Sequence, residues 1–139
     1  LRNSFSGSQM QEQKLKKLKV QSPDDRLLDK VMKVINDNLG NPDLNVEMIA
    51  TEVGISRVHL HRKLKELTNQ STRDLIRNVR LKQAASLLAN QYHNITEVAT
   101  LTGFTNIAYF STAFKELYGV PPTTYMEEQQ KSSSDEIKQ

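Results

Sequence analysis

The 139-residue chain has no cysteine, which excludes disulfides and thiolate metal sites. No apolar run approaches the roughly 18 residues that a membrane-crossing helix needs. A signal-peptide pattern is missing too, and the first residue is Leu1 rather than Met, so an excised piece of a longer cytoplasmic protein is expected. His59 and His61 stand two apart on a predicted helix and point to different sides, while His93 falls in a predicted loop, so no metal site is expected. There is no phosphate-cradling glycine loop, no nucleophile elbow and no paired-carboxylate constellation. Neither catalysis nor a cofactor is therefore expected. Strand signals do not recur anywhere along the chain.

What is present is ordinary globular chemistry: 37% hydrophobic and 25% charged residues, with length for one modest core. The net charge of +3 argues weakly for any partner, but its distribution is uneven. Between Arg57 and Lys82 lie eight bases (Arg57, Arg62, Lys63, Lys65, Arg73, Arg77, Arg80, Lys82) against two acids, Glu66 and Asp74. From Asp24 to Glu52 seven acids face three bases. A block so basic suits a polyanion, or is simply a solvated helix face.

Helix signals, by contrast, recur throughout. Ser22-Pro23-Asp24-Asp25 supplies a cap, a proline at the first helical position and first-turn acids. Leu27, Leu28, Val31, Val34, Ile35 and Leu39 follow at helical spacing, and Gly40 ends the run. Asn45, Ser56, Ser71, Asn94 and Asn106 read as further caps, and Pro121-Pro122 as the start of a short last helix holding Tyr125. The expected fold is all-α, with seven helices. Residues 1–21 read as a largely flexible linker, with a short helix near Lys14–Lys19. The folded domain is expected over 22–127, and 128–139 as a flexible tail.

The chain also repeats itself. Asn45-Val46-Glu47-Met48-Ile49-Ala50-Thr51-Glu52-Val53-Gly54-Ile55 aligns with Asn94-Ile95-Thr96-Glu97-Val98-Ala99-Thr100-Leu101-Thr102-Gly103-Phe104 at an offset of 49. The following helix aligns at an offset of 50, with Leu60 on Phe110, Leu64 on Phe114 and Lys65-Glu66-Leu67 on Lys115-Glu116-Leu117. Each copy reads as a helix-turn-helix unit, about 45–67 and about 94–118. Small Ala50 and Ala99 permit close helix approach, and Gly54 and Gly103 permit a left-handed turn. A helix over about 71–90 joins the copies. At 1.5 Å per residue it is roughly 30 Å long, close to the ~34 Å between successive major-groove faces of B-DNA. Two reading helices could thus enter adjacent major grooves on one side of a duplex.

With Leu60, Leu64 and Leu67 inward, Arg57, Val58, His61, Arg62 and Lys65 face outward on the first reading helix. Arginine bonds guanine bidentately, and valine fits a thymine methyl. On the second, with Phe110, Ala113, Phe114 and Leu117 inward, the outward positions are Asn106, Ile107, Ala108, Ser111, Thr112 and Lys115. Only Lys115 is charged there, so weaker, partial base readout is expected. Phosphate contacts are expected from Ser56, Lys65, Arg80, Thr96 and Lys115, Arg80 alternatively forming an internal ion pair.

The residues Ile49-Ala50…Gly54-Ile55-Ser56…Leu60…Leu64-Lys65, Arg80-Leu81…Ala84…Leu87-Leu88 and Ile95…Val98-Ala99…Gly103-Phe104…Tyr109-Phe110…Phe114-Lys115…Gly119-Val120-Pro121…Tyr125 resemble the DNA-binding domain of the AraC/XylS family. The resemblance covers about residues 24–126. It implies two helix-turn-helix subdomains joined by a long helix and activating transcription at tandem or direct-repeat sites. The family's base-contacting positions match Arg57, Val58, His61 and Arg62, then Ile107, Ala108, Ser111 and Thr112. Thr112 stands where the family often has arginine, which weakens the second readout. Lys17–Asp25 is similar to the approach in hybrid two-component regulators, where a phosphorylatable receiver precedes this domain and carbohydrate-utilisation genes are often controlled. In that setting the parent dimerises on phosphorylation and can be membrane-anchored, while the isolated domain is monomeric. Double-stranded DNA is the expected partner, with RNA polymerase a second one. No membrane contact by this segment is expected. The alternative is a helical protein-interaction module with secondary DNA contact.

Overall fold

The computed structural model describes residues 22–90 and 93–138. The expected linker 1–21, with its short helix near Lys14–Lys19, lies outside the described residues. Among those residues there are seven helices and no strand: α1 (Pro23–Asp37), α2 (Val46–Val53), α3 (Arg57–Thr68), α4 (Thr72–Asn90), α5 (Ile95–Leu101), α6 (Ile107–Tyr118) and α7 (Pro122–Lys138). No helix among them is long and apolar enough to cross a membrane.

Short polar side chains start these helices by taking backbone N–H groups that have no partner in the first turn. The Asp25 N–H donates to Ser22 Oγ (3.2 Å) and the Ser22 N–H to Asp25 Oδ2 (3.1 Å), a complete capping box. Asn45, Ser56, Ser71, Asn94 and Asn106 accept from the N–H groups of Met48, His59, Asp74, Glu97 and Tyr109 at 2.8–3.1 Å. Each such cap is worth about 1 kcal/mol. The second helices of the two repeat units, α3 and α6, also end alike. Asn69 (φ 58°) and Gly119 (φ 83°) adopt left-handed backbone, and their N–H groups donate to the carbonyls of Lys65 and Lys115. Asparagine tolerates this region better than other residues with a side chain.

The repeat folds into two units with separate cores, and α4 belongs to both. Leu75, Ile76 and Val79 of α4 pack with Val31, Ile35, Ile49, Leu60 and Leu64. One turn further on, Leu81, Ala84, Ala85 and Leu88 pack with Val98, Ala99, Phe104, Phe110 and Phe114. The first core is aliphatic. The second is built on rings: Phe114 lies 5.8 Å from Phe110, 4.6 Å from Tyr118 and 5.4 Å, edge-on, from Tyr125 between centroids.

Two expectations change. The last helix runs to Lys138, where a short helix and a flexible tail from 128 were expected. After Pro122 no proline or glycine interrupts the chain, and Glu, Gln and Lys carry good helix propensity, so nothing in the backbone ends the helix early. Its start is held by packing on α4 and by Tyr125 and Met126 against the second core. Leu117, expected inward, is 43% exposed. Phe114 and Tyr118 on either side take the buried arc of α6 instead.

Candidate nucleic-acid interface

Ser56 caps α3 and so sets its register: with Leu60 and Leu64 fully buried, Arg57, Val58, His61, Arg62 and Lys65 form one exposed stripe. Val58 is 77% exposed, an apolar side chain held in water amid cations. Arg57 lies 3.5 Å from Glu47 on α2, a pair of exposed groups that contributes little and is easily exchanged for an anion. Lys63, on the flank of the stripe, is held by Asp24 at 3.3 Å and Glu66 at 3.8 Å and faces away from it. The Ser56 hydroxyl accepts the capping bond but keeps its own proton for a further acceptor.

The matching face of α6 is poorer in donors. Asn106 Oδ1 is used in the cap, leaving its amide NH₂. Thr112 Oγ1 donates back to the Ala108 carbonyl at 3.0 Å. Ile107, Ala108 and Lys115 are exposed, whereas Ser111 is half-buried. Thr96, exposed in the first turn of α5, occupies the repeat position of Glu47, so the second unit has a neutral hydroxyl where the first has an acid.

Two residues missed as site residues from the sequence join these faces. Arg73, in the first turn of α4, borders a shallow concavity with Val46, Arg57, Val58 and His61. It also borders the cleft between the units, with Arg77, Phe104, Thr105, Asn106 and Tyr109. One arginine therefore stands beside the N-terminal ends of both α3 and α6. Tyr109 is exposed at the rim of that cleft, its ring 6.2 Å from Phe104. The i, i+4 spacing of Arg73 and Arg77 inside the basic block was the signal available for the first; Tyr109 stood out only as part of the motif that carries the family resemblance.

Arg80 also lines that cleft, but its guanidinium is committed to the interior, which corrects the expected phosphate contact. It is 5% exposed. Its guanidinium donates to three backbone carbonyls, those of Leu39, Thr102 (2.7 Å) and Asn41 (2.8 Å), rather than to a phosphate or an acid. Burial pulls its pKa below the ordinary value through desolvation, yet an arginine keeps its proton inside proteins. Among the described residues no group of three or more His, Asp or Glu is placed to hold a metal ion.

A family model described as a helix-turn-helix domain matches residues 49–128. The chain is 35% identical over 106 residues to histidine kinase P4 of Formosa agariphila, a match covering 76% of this chain and 8% of that protein. It is 33% identical over 101 residues to the Msm operon regulatory protein of Streptococcus mutans, covering 73% of this chain and 36% of that one. Among solved structures, the C-terminal domain of AraT, a response regulator from Geobacillus stearothermophilus, superimposes with a TM-score of 0.69 at 31% identity, over 78% of this chain and 88% of that one. The chain thus spans 8% and 36% of the lengths of these two curated relatives.

Proposed function

The chain belongs to the AraC-type helix-turn-helix family of DNA-binding domains, and on that premise we propose that it reads specific sequences in double-stranded DNA and regulates transcription, as an activator. The observation that carries this reading is Arg73, exposed beside the starts of both α3 and α6. α3 supplies the stronger base readout, with Arg57 and Arg62 to guanine edges, Val58 to a thymine methyl and His61 to a base edge or phosphate. α6 adds partial readout through Asn106, Ile107, Ala108, Ser111 and Thr112. Ser56, Lys65, Thr96 and Lys115 hold phosphates, and Arg73 joins them between the two units. The similarity to a histidine kinase and to a response regulator's C-terminal domain supports a place at the output end of a two-component signalling protein. Its site of action is then the cytoplasm. The domain alone is monomeric, and the parent protein dimerises to raise affinity by linking two binding events.

The test is an affinity titration against salt. Neutralised phosphates release counterions, so log K should fall linearly with log salt at a slope of about −0.9 per phosphate contact. A flat response would instead favour a protein-interaction module. On DNA selected by the wild-type chain, Arg62→Ala should cost about 1–3 kcal/mol and relax preference at one base position. Equal weakening on every sequence would remove Arg62 from base readout.

A further inference from the structure

We propose that Arg80 is the positioning residue that fixes the angle between the two helix-turn-helix units, and with it the spacing of the two DNA segments the chain can engage together. Its acceptors come from both units. Leu39 and Asn41 lie just beyond the C-terminal end of α1, in the first unit. Thr102 is the C-cap of α5, in the second. The Leu39 and Asn41 carbonyls belong to the turn after α1 and the Thr102 carbonyl to the negative end of α5, so one buried cation gathers acceptors from both units at once. The guanidinium is rigid and planar, with five N–H donors in fixed directions, which suits it to hold three acceptors in one geometry.

A second observation concerns the backbone around those bonds. Gly103 (φ +86°) sits directly after Thr102, and a Cβ there would fall on Nη1 of Arg80 and 2.5 Å from the Leu39 carbonyl oxygen. Gly40 faces the other unit at ordinary contact: a Cβ on it would come 3.4 Å from the Leu101 carbonyl oxygen. The two turns therefore meet around the guanidinium, and glycine keeps the space it occupies. Elsewhere the two buried cores are separate and are joined through α4.

The experiment uses the absence of cysteine. Glu52→Cys on α2 and Glu116→Cys on α6, both exposed, take one spin label each, and their separation is measured by pulsed dipolar spectroscopy. The parent should give one narrow distance distribution. Arg80→Met and, separately, Gly103→Ala, which keeps the arginine but displaces it, should broaden that distribution with helical content unchanged. An unbroadened distribution in both variants would overturn the proposal. Where Arg80→Met does not fold, Gly103→Ala decides.

The DNA arm rests on the function proposed above. On a duplex selected from random sequence by the parent chain, either variant should bind about ten-fold or more weakly, while a duplex keeping only the segment read by α3 should bind within about two-fold of the parent. Affinity should also stop depending on a one-base-pair insertion between the segments. Equal loss on both duplexes, with the spacing preference kept, would mean a role in stability alone and would overturn the proposal. A parent chain that selects no DNA would sink the proposed function while leaving the label distances to decide on Arg80.

Discussion

Ala84→Pro is expected to lower the thermal midpoint by about 10 °C or more and to reduce binding of paired DNA segments to the level of one segment alone. Residue 84 lies well inside α4, and its side chain is fully buried in the second core. Proline there removes the N–H that would donate to the carbonyl of residue 80 and drives its ring against that same oxygen, at a cost of about 3 kcal/mol or more. The break falls between the part of α4 that packs on the first core and the part that packs on the second. The same backbone displacement shifts Arg80, so both the rod and the clamp fail together. Ala84→Gly is the control. It retains the N–H, costs only about 1 kcal/mol of helix propensity and should leave paired binding close to the parent. A proline variant that still preferred paired segments would show that α4 does not transmit their spacing.

The second large effect is local to one unit. Phe114 is fully buried, and its ring meets Phe110, Tyr118 and Tyr125. Phe114→Ala should cost about 3–5 kcal/mol through lost burial and the cavity left among rings that cannot collapse onto it. Because the first core is built from other residues, the loss should fall on the second unit, and unfolding should cease to be a single transition. The chain offers a probe for this. It has no tryptophan, and all four tyrosines (Tyr92, Tyr109, Tyr118, Tyr125) follow residue 90. Tyrosine emission should therefore change at a lower temperature than the far-ultraviolet helix signal, whereas the parent should show the two together. Coincident transitions in the variant would mean that the units unfold as one body despite their separate cores.

The elements legible in the sequence were those set by local chemistry. Every expected cap among the described residues accepts its N–H, because an Asn or Ser oxygen reaches the donor three residues on whatever packs nearby. The duplication carried the topology, since two copies of one short-helix, turn, long-helix pattern require the same packing twice. Positions decided by distant neighbours were harder to read. Arg80 resembled its basic neighbours in composition, yet it stands four residues from Ile76 and four from Ala84, both buried. An arginine on the apolar stripe of a helix was the available sign that it turns inward. Leu117 illustrates the converse: the repeat aligns it with half-buried Leu67, but the ring-filled second core leaves it no room. The helical run past residue 128 was hidden by three consecutive serines, which read as a tail until α4 is seen supporting the helix from its first turns.

The central claim is that two duplicated units, held at one angle, engage one side of a duplex together. Selection of bound sites from random double-stranded DNA tests it most directly. Two short enriched motifs should emerge, their centres about one helical turn, 10–10.5 base pairs, apart. Enrichment of no sequence, or of a single short motif indifferent to what lies a turn away, would contradict it.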